Sequence, residues 1–148
     1  MTIEAIQKIA IQLTFGLNSI HKTGVCHNDL KPHNIMVNEI RDEKGKVIKH
    51  QLQIIDFGLI TSFIENGKHI TPEQGKTVGG TKNYQPRRAH YNEALSRRDD
   101  WETLCFVIYA LIKPLPWSKE KDLDKMIQMK EDFMKNQSWK GVLPDVFS

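Results

Sequence analysis

Apolar residues recur at helical spacing from the start of the chain. Ile6, Ile9, Leu13, Leu17 and Ile20 fall on one face, so residues 3–22 read as an amphipathic helix. Gly24 can end it in the left-handed conformation. The period then changes. Ile35-Met36-Val37 is a short apolar strand, and residues 38–46 are polar and charged, with Gly45 placed for a turn. Residues 47–55 alternate, which puts Ile48, Leu52 and Ile54 on one face of a partner strand. The resulting hairpin would bring residue 34 beside residue 56.

Residues 59–79 have no regular period and contain Gly67, Pro72, Gly75 and Gly79, so they read as a long surface loop. Loops of that length are usually functional or disordered. Ser96-x-x-Asp99 is a capping box for a helix over residues 97–112. That helix is apolar on most faces from Trp101 onward and should be buried, and Pro114 should end it. A third helix, about 119–135, carries Leu123, Met126, Ile127, Phe133 and Met134 on one side. The tail, residues 141–147, is apolar but unpatterned. The expected architecture is mainly α with a small β-hairpin, without internal repeats or a second domain.

Composition narrows the setting. A chain of 148 residues fits one domain with a real core. Its 21 basic and 18 acidic residues give a net charge of +3, too mild to call for nucleic acid or a membrane surface. The longest apolar run, residues 104–112, is too short to span a bilayer, and no signal peptide is visible at Met1. Cys26 and Cys105 lie in apolar contexts without framework spacing and read as reduced, buried thiols. The expected location is intracellular, in cytoplasm, nucleus or both.

The candidate chemistry sits in two runs. His27-Asn28-Asp29-Leu30-Lys31-Pro32-His33-Asn34 reads H-x-D-L-K-P-x-N, and Asp56-Phe57-Gly58 closes the apolar strand of the hairpin. Phosphoryl transfer needs a group to orient the attacking hydroxyl, a cation near the moving phosphate and ligands for magnesium. Asp29, Lys31, Asn34 and Asp56 can supply those parts in that order. Taken singly, each has a plainer reading: Asp29 and Asn34 as turn residues, Lys31 as an exposed lysine, Asp56 as a strand-end turn device before Gly58. A metal role for His27 with Cys26 lacks further ligands at suitable spacing.

A third block completes the pattern: Gly80-Thr81-Lys82-Asn83-Tyr84, Ala89-His90, Ser96-Arg97-Arg98-Asp99-Asp100-Trp101-Glu102 and Leu115-Pro116-Trp117. With it the chain resembles the C-terminal lobe of a eukaryotic-type protein kinase, and within that group casein kinase 1 and the vaccinia-related kinases. The resemblance runs from roughly Ile3 to Trp117. It implies a partial kinase domain over 1–148, without the N-lobe: catalytic loop 25–37, Asp-Phe-Gly at 56–58, activation segment 56–90 and buried helix 97–112. It implies Asp29 as catalytic base with Lys31 and Thr81 beside it. Asn34 and Asp56 would bind magnesium, and Met36 would lie under the adenine of ATP. His27, Phe57, Gly58 and Asp100 would be structural supports, the first two in an apolar column and Asp100 holding the catalytic loop backbone.

The implied activity is ATP- and Mg2+-dependent phosphorylation of Ser or Thr in proteins. The alternative is a truncated pseudokinase-like binding module, inactive alone. A small-molecule phosphotransferase would also use H-x-D-x-x-x-x-N but lacks the G-T-x-x-Y and S-R-R-D-D blocks. The 148 residues alone are expected to bind ATP–magnesium weakly or not at all. Apolar surface on the cleft side is expected to lie open or to be covered by an N-lobe or a partner. Three departures matter. Asn28 replaces the usual Arg, which disfavours control by activation-segment phosphorylation. Cys105 replaces a usual Gly. Asn83 replaces an Arg, leaving Lys82, Arg87 and Arg88 to keep the region basic for acidic or phosphate-primed substrates.

Overall fold

The computed structural model describes residues 1–71 and 79–140. Pro72 and Gly75 of the expected loop, and the tail 141–147, lie outside the described residues.

Helix α1 covers Ile3–Lys22, as the apolar spacing predicts. Thr2 caps it by accepting a hydrogen bond from the Ala5 amide at 3.2 Å. Ile6, Ala10, Leu13 and Leu17 are buried along its inner face. At the far end the Gly24 amide bonds to the His21 carbonyl at 3.0 Å, and Gly24 takes φ +87°. The chain thereby turns into β1, Val25–Cys26.

The predicted hairpin is present as β2, Ile35–Arg41, and β3, Val47–Ile54. Ile35 pairs with Ile54 and Arg41 with Val47. Its turn is built by Asp42, whose Oδ1 accepts the Lys44 and Lys46 amides at 2.9 Å each, while Gly45 takes φ +78°. Gln12 of α1 holds the hairpin, its Oε1 accepting the Leu52 amide at 3.1 Å. The inner end of β3 is covered, with Ile54 only 7% exposed. Ile48, expected on the same covered face, is 61% exposed. It lines an open groove with Ala5, Ile9 and Ile11 rather than a packed interface.

The expected featureless loop after residue 58 is corrected by three short strands. β4, Thr61–Ser62, pairs with β1. β5, Ile64–Glu65, pairs with β6, Lys68–His69, around Asn66 and Gly67 at φ +51° and +74°. Two consecutive left-handed residues make the hairpin turn that Asn-Gly favours.

Helix α2 is one turn, Arg87–His90. Helix α3, Arg97–Ile112, starts at the predicted capping box, with the Ser96 amide donating to Asp99 Oδ2 at 2.7 Å. Thr103, Leu104, Phe106, Val107, Ile108 and Tyr109 are buried along it. Helix α4 runs Leu123–Lys135, four residues shorter at its start than expected. Asp122 sets that start as a strong N-cap, accepting the Lys125 amide at 3.0 Å. The inward residues of α4 are Met126, Lys130 and Phe133, whereas Leu123, expected on that face, is 41% exposed.

The core sits where α1, α3 and α4 meet. Phe106, Trp117, Phe133 and Tyr109 pack edge-to-face, with ring centroids 5.0–6.1 Å apart. Such pairs add about 0.5–1.5 kcal/mol each beyond the area they bury. Arg87 ties three helices together. Its guanidinium donates to Glu102 of α3 at 3.0 Å through both Nε and Nη2, and to Glu131 of α4 at 2.9 Å through Nη1. Arg87→Met is expected to cost about 2 kcal/mol, visible as a lower midpoint in urea unfolding. No helix among the described residues is long and apolar enough to cross a membrane.

Candidate active site

The loop between β1 and β2 carries the first motif and is held from below by α3. Asp100 is 2% exposed. Its Oδ2 accepts the His27 amide and His21 Nε2, and its Oδ1 accepts the Asn28 amide, all at 2.8 Å. Asp100 thus bonds to the loop backbone at two successive residues. His21, Cys26 and Asp100 also place their ligand atoms within 4.8 Å of one another. Both Asp100 oxygens are already used, and burial pushes the Cys26 thiol up to about 12. That triangle is a structural joint.

His27 is fully buried, with its ring edge-to-face against Phe57 at 5.4 Å. Its Nδ1 accepts the Asp29 amide at 3.3 Å, so the ring proton sits on Nε2 and is donated to the Ile55 carbonyl at 3.1 Å. Phe57 is 48% exposed. The His27 ring is the one aromatic contact that Phe57 makes among the described residues.

Asn28 takes φ +67°, a conformation that Asn tolerates better than most residues. Its Nδ2 donates to the Leu59 carbonyl at 2.7 Å and to Thr61 Oγ1 at 3.0 Å. Where an Arg was expected to be missed, the Asn fastens the loop to the segment after Gly58.

Asp29 sits at the centre. Its Oδ2 accepts Lys31 Nζ at 2.6 Å and Asn34 Nδ2 at 3.2 Å. Its Oδ1 accepts the Thr81 amide at 3.0 Å and the Thr81 hydroxyl at 3.2 Å. Lys31 Nζ also donates to Thr81 Oγ1 at 3.0 Å. Burial works to raise the Asp29 pKa, but the bonds from Lys31 and Thr81 prevail and hold it below the usual carboxylate value. Gly80, at φ +140°, allows the close approach: a Cβ there would meet the Asn28 carbonyl at 3.2 Å.

Asn34 and Asp56 lie at the same end of the hairpin. The Ile55 amide donates to the Asn34 carbonyl at 2.9 Å, so Asp56 is the next residue along. The Asn34 Nδ2 is also bonded to the Asp29 carbonyl at 2.9 Å, which fixes the amide's orientation and leaves its Oδ1 without a partner among the described residues. Asp56 is exposed, at φ +66°. Its Oδ1 accepts the Gly58 amide at 3.2 Å, so the turn reading of Asp56 also holds, while its Oδ2 has no partner among the described residues. A Cβ at residue 58 would meet that Oδ1 at 3.2 Å. An amide oxygen and a carboxylate oxygen of this kind suit magnesium, a hard cation bound by few protein oxygens plus water. Met36, on β2, is 41% exposed and presents apolar surface rather than filling the core.

Two of the charges expected to keep the substrate side basic are occupied. Arg87 is bound by Glu102 and Glu131, and Arg88 pairs with Glu93 at 2.8 Å. Lys82 is the exposed cation that remains of the three. Lys130 escaped the sequence reading altogether, because a lysine in an apolar stripe was counted as polar. Its signal was the spacing Met126, Lys130, Phe133.

Comparison of the sequence with known proteins shows its family. The chain is 34% identical over 135 residues to a probable serine/threonine-protein kinase of fowlpox virus, covering 88% of this chain and 43% of that protein. It is 31% identical over 118 residues to the B1 kinase of vaccinia virus, covering 78% of this chain and 37% of the kinase. A probable serine/threonine-protein kinase of Dictyostelium discoideum is 30% identical over 128 residues, 85% of this chain and 25% of that protein. The chain thus spans less than half the length of these curated relatives. The sequence model of the protein kinase domain matches residues 1–144, and on that match the chain belongs to the protein kinase family.

Proposed function

We propose that this chain is the catalytic lobe of a serine/threonine protein kinase of the casein kinase 1 group, which transfers the γ-phosphoryl of ATP to protein hydroxyls. The carrying observation is the single hydrogen-bonded cluster of Asp29, Lys31, Asn34 and Thr81, one strand pair away from Asp56. Asp29 is held charged and so can accept the proton of an incoming hydroxyl. All four of its bonds are made within the protein, so a substrate hydroxyl must displace one. Lys31 is the donor best able to leave, since it can exchange Asp29 for an oxygen of the moving phosphate. Thr81 would then keep Asp29 oriented through its two remaining bonds.

Asn34 Oδ1 and Asp56 Oδ2 would hold magnesium. When bound, the ion would neutralise charge on the nucleotide phosphates. Met36 offers the apolar surface for the base. Both cysteines are free, Cys26 buried as expected and Cys105 only partly so, and unpaired thiols fit an intracellular setting. The test is transfer of labelled phosphate from ATP to Ser or Thr of a mixed protein substrate by the product of the complete gene. Asp56→Ala should reduce that transfer at least about 100-fold. It should lower the melting temperature only modestly: Asp56 is exposed and its side chain bonds only to Gly58, but alanine tolerates φ +66° less well than aspartate. Normal transfer by that variant would remove Asp56 from the metal site.

A further inference from the structure

Lys130 of α4 is completely buried, among the core aromatics. A buried ammonium is costly unless every proton finds an acceptor. Here all three do: the Lys82 carbonyl at 2.6 Å, the Gln85 carbonyl at 2.8 Å and His90 Nε2 at 3.0 Å. The charge also lies 5.6 Å from the centroid of Phe106 and 5.5 Å from that of Trp117, where ring faces attract cations. Beside it, Trp117 Nε1 donates to the Asn83 carbonyl at 2.8 Å. The carbonyls of residues 82, 83 and 85 are therefore all gripped from the core side.

These residues follow Thr81 directly. The Thr81 carbonyl accepts the Tyr84 and Gln85 amides at 2.8 and 2.9 Å, which closes the segment into a tight turn. Thr81 in turn meets Asp29 Oδ1, whereas Asn34 meets Asp29 Oδ2. The segment thus approaches the catalytic carboxylate from the side opposite the proposed metal ligands. A phosphoryl donor belongs with the metal, so the turn at 81–85 belongs with the acceptor.

We propose that Lys130 is a positioning residue for the phosphoryl acceptor: by gripping the carbonyls of Lys82 and Gln85 it fixes the turn on which the peptide around the target hydroxyl rests, and keeps Thr81 on Asp29. The proposal rests on the phosphotransferase reading above. Lys130 touches no substrate and acts only through this turn. Lys130→Met keeps the length and apolar stem but removes all three donors. Lys130→Gln restores two donors on a shorter arm and serves as the milder variant should the first not fold.

The experiment measures transfer by the complete gene product to a Ser-containing peptide chosen from the wild type's own labelling of a peptide library. Amide hydrogen exchange is followed in parallel. The expected result for Lys130→Met is a rise of about tenfold or more in KM for the peptide, with KM for ATP within twofold of wild type. The Tyr84 and Gln85 amides should exchange at least about tenfold faster, with those of residues 29–34 unchanged, and Lys130→Gln should fall between. An unchanged peptide KM, or equal losses toward peptide and ATP, overturns the proposal while leaving the kinase reading intact. A wild type that transfers no phosphate overturns both.

Discussion

Asp29→Asn should lower phosphoryl transfer by about 10²–10⁴-fold, the range that a positioned base contributes, and leave the protein folded. The asparagine has the same shape but cannot take up a proton. Its NH2 group must face either Thr81 or Lys31, each of which donates to the carboxylate now. That mismatch costs roughly 1–3 kcal/mol, tolerable for a domain whose other contacts are untouched. Initial rates with labelled ATP and a thermal melt of the same sample separate the two effects. Retained turnover would move the base elsewhere. The pH dependence has a definite sign. The folded pKa of Asp29 is depressed, so its contribution to stability is fully present above the unfolded value of about 3.9. That contribution is lost as pH falls through the folded value. The stability gap between wild type and Asp29→Asn should therefore narrow in acid below about pH 4.

Asp100→Ala should be the most destabilising single change at the site, by about 3–5 kcal/mol. Removing the carboxylate strands two buried amides, of His27 and Asn28, and the His21 imidazole. All three belong to buried residues. The N-terminal turn of α3 also loses a negative charge where the helix dipole favours one. The loss should appear in urea unfolding, and the His27–Asn34 loop should lose amide protection ahead of α1. A change below 1 kcal/mol would mean that the loop is held by something other than Asp100. Asp100→Asn, which keeps one acceptor oxygen, should fall between.

The long elements were legible because their periods are long. Five apolar residues on one stripe define α1, and a capping box before a wholly apolar run defines α3. The hairpin was legible from its alternation, and its register, Ile35 against Ile54, puts Asn34 and Asp56 at one end of it. What escaped depends on partners far along the chain. Lys130 reads as surface until Lys82, Gln85 and His90 are seen to take its protons. Arg87 reads as a free cation until Glu102 and Glu131 arrive from two other helices. Asn28 reads as a lost Arg until its left-handed backbone and its bonds to Leu59 and Thr61 give it a holding role. The β5–β6 hairpin was within reach, since Asn66-Gly67 is a strong local turn signal.

The central claim is that the residue-34 amide and the residue-56 carboxylate form one metal site beside Asp29. Titration of the isotopically labelled protein with Mn2+ in the presence of ATP tests it by paramagnetic line broadening, which detects even weak binding. The account predicts that the Asn34 side-chain amide and the backbone amides around Asp56 and Gly58 broaden first, and that Asp56→Ala abolishes this. Broadening that begins elsewhere, or that survives Asp56→Ala, would contradict it.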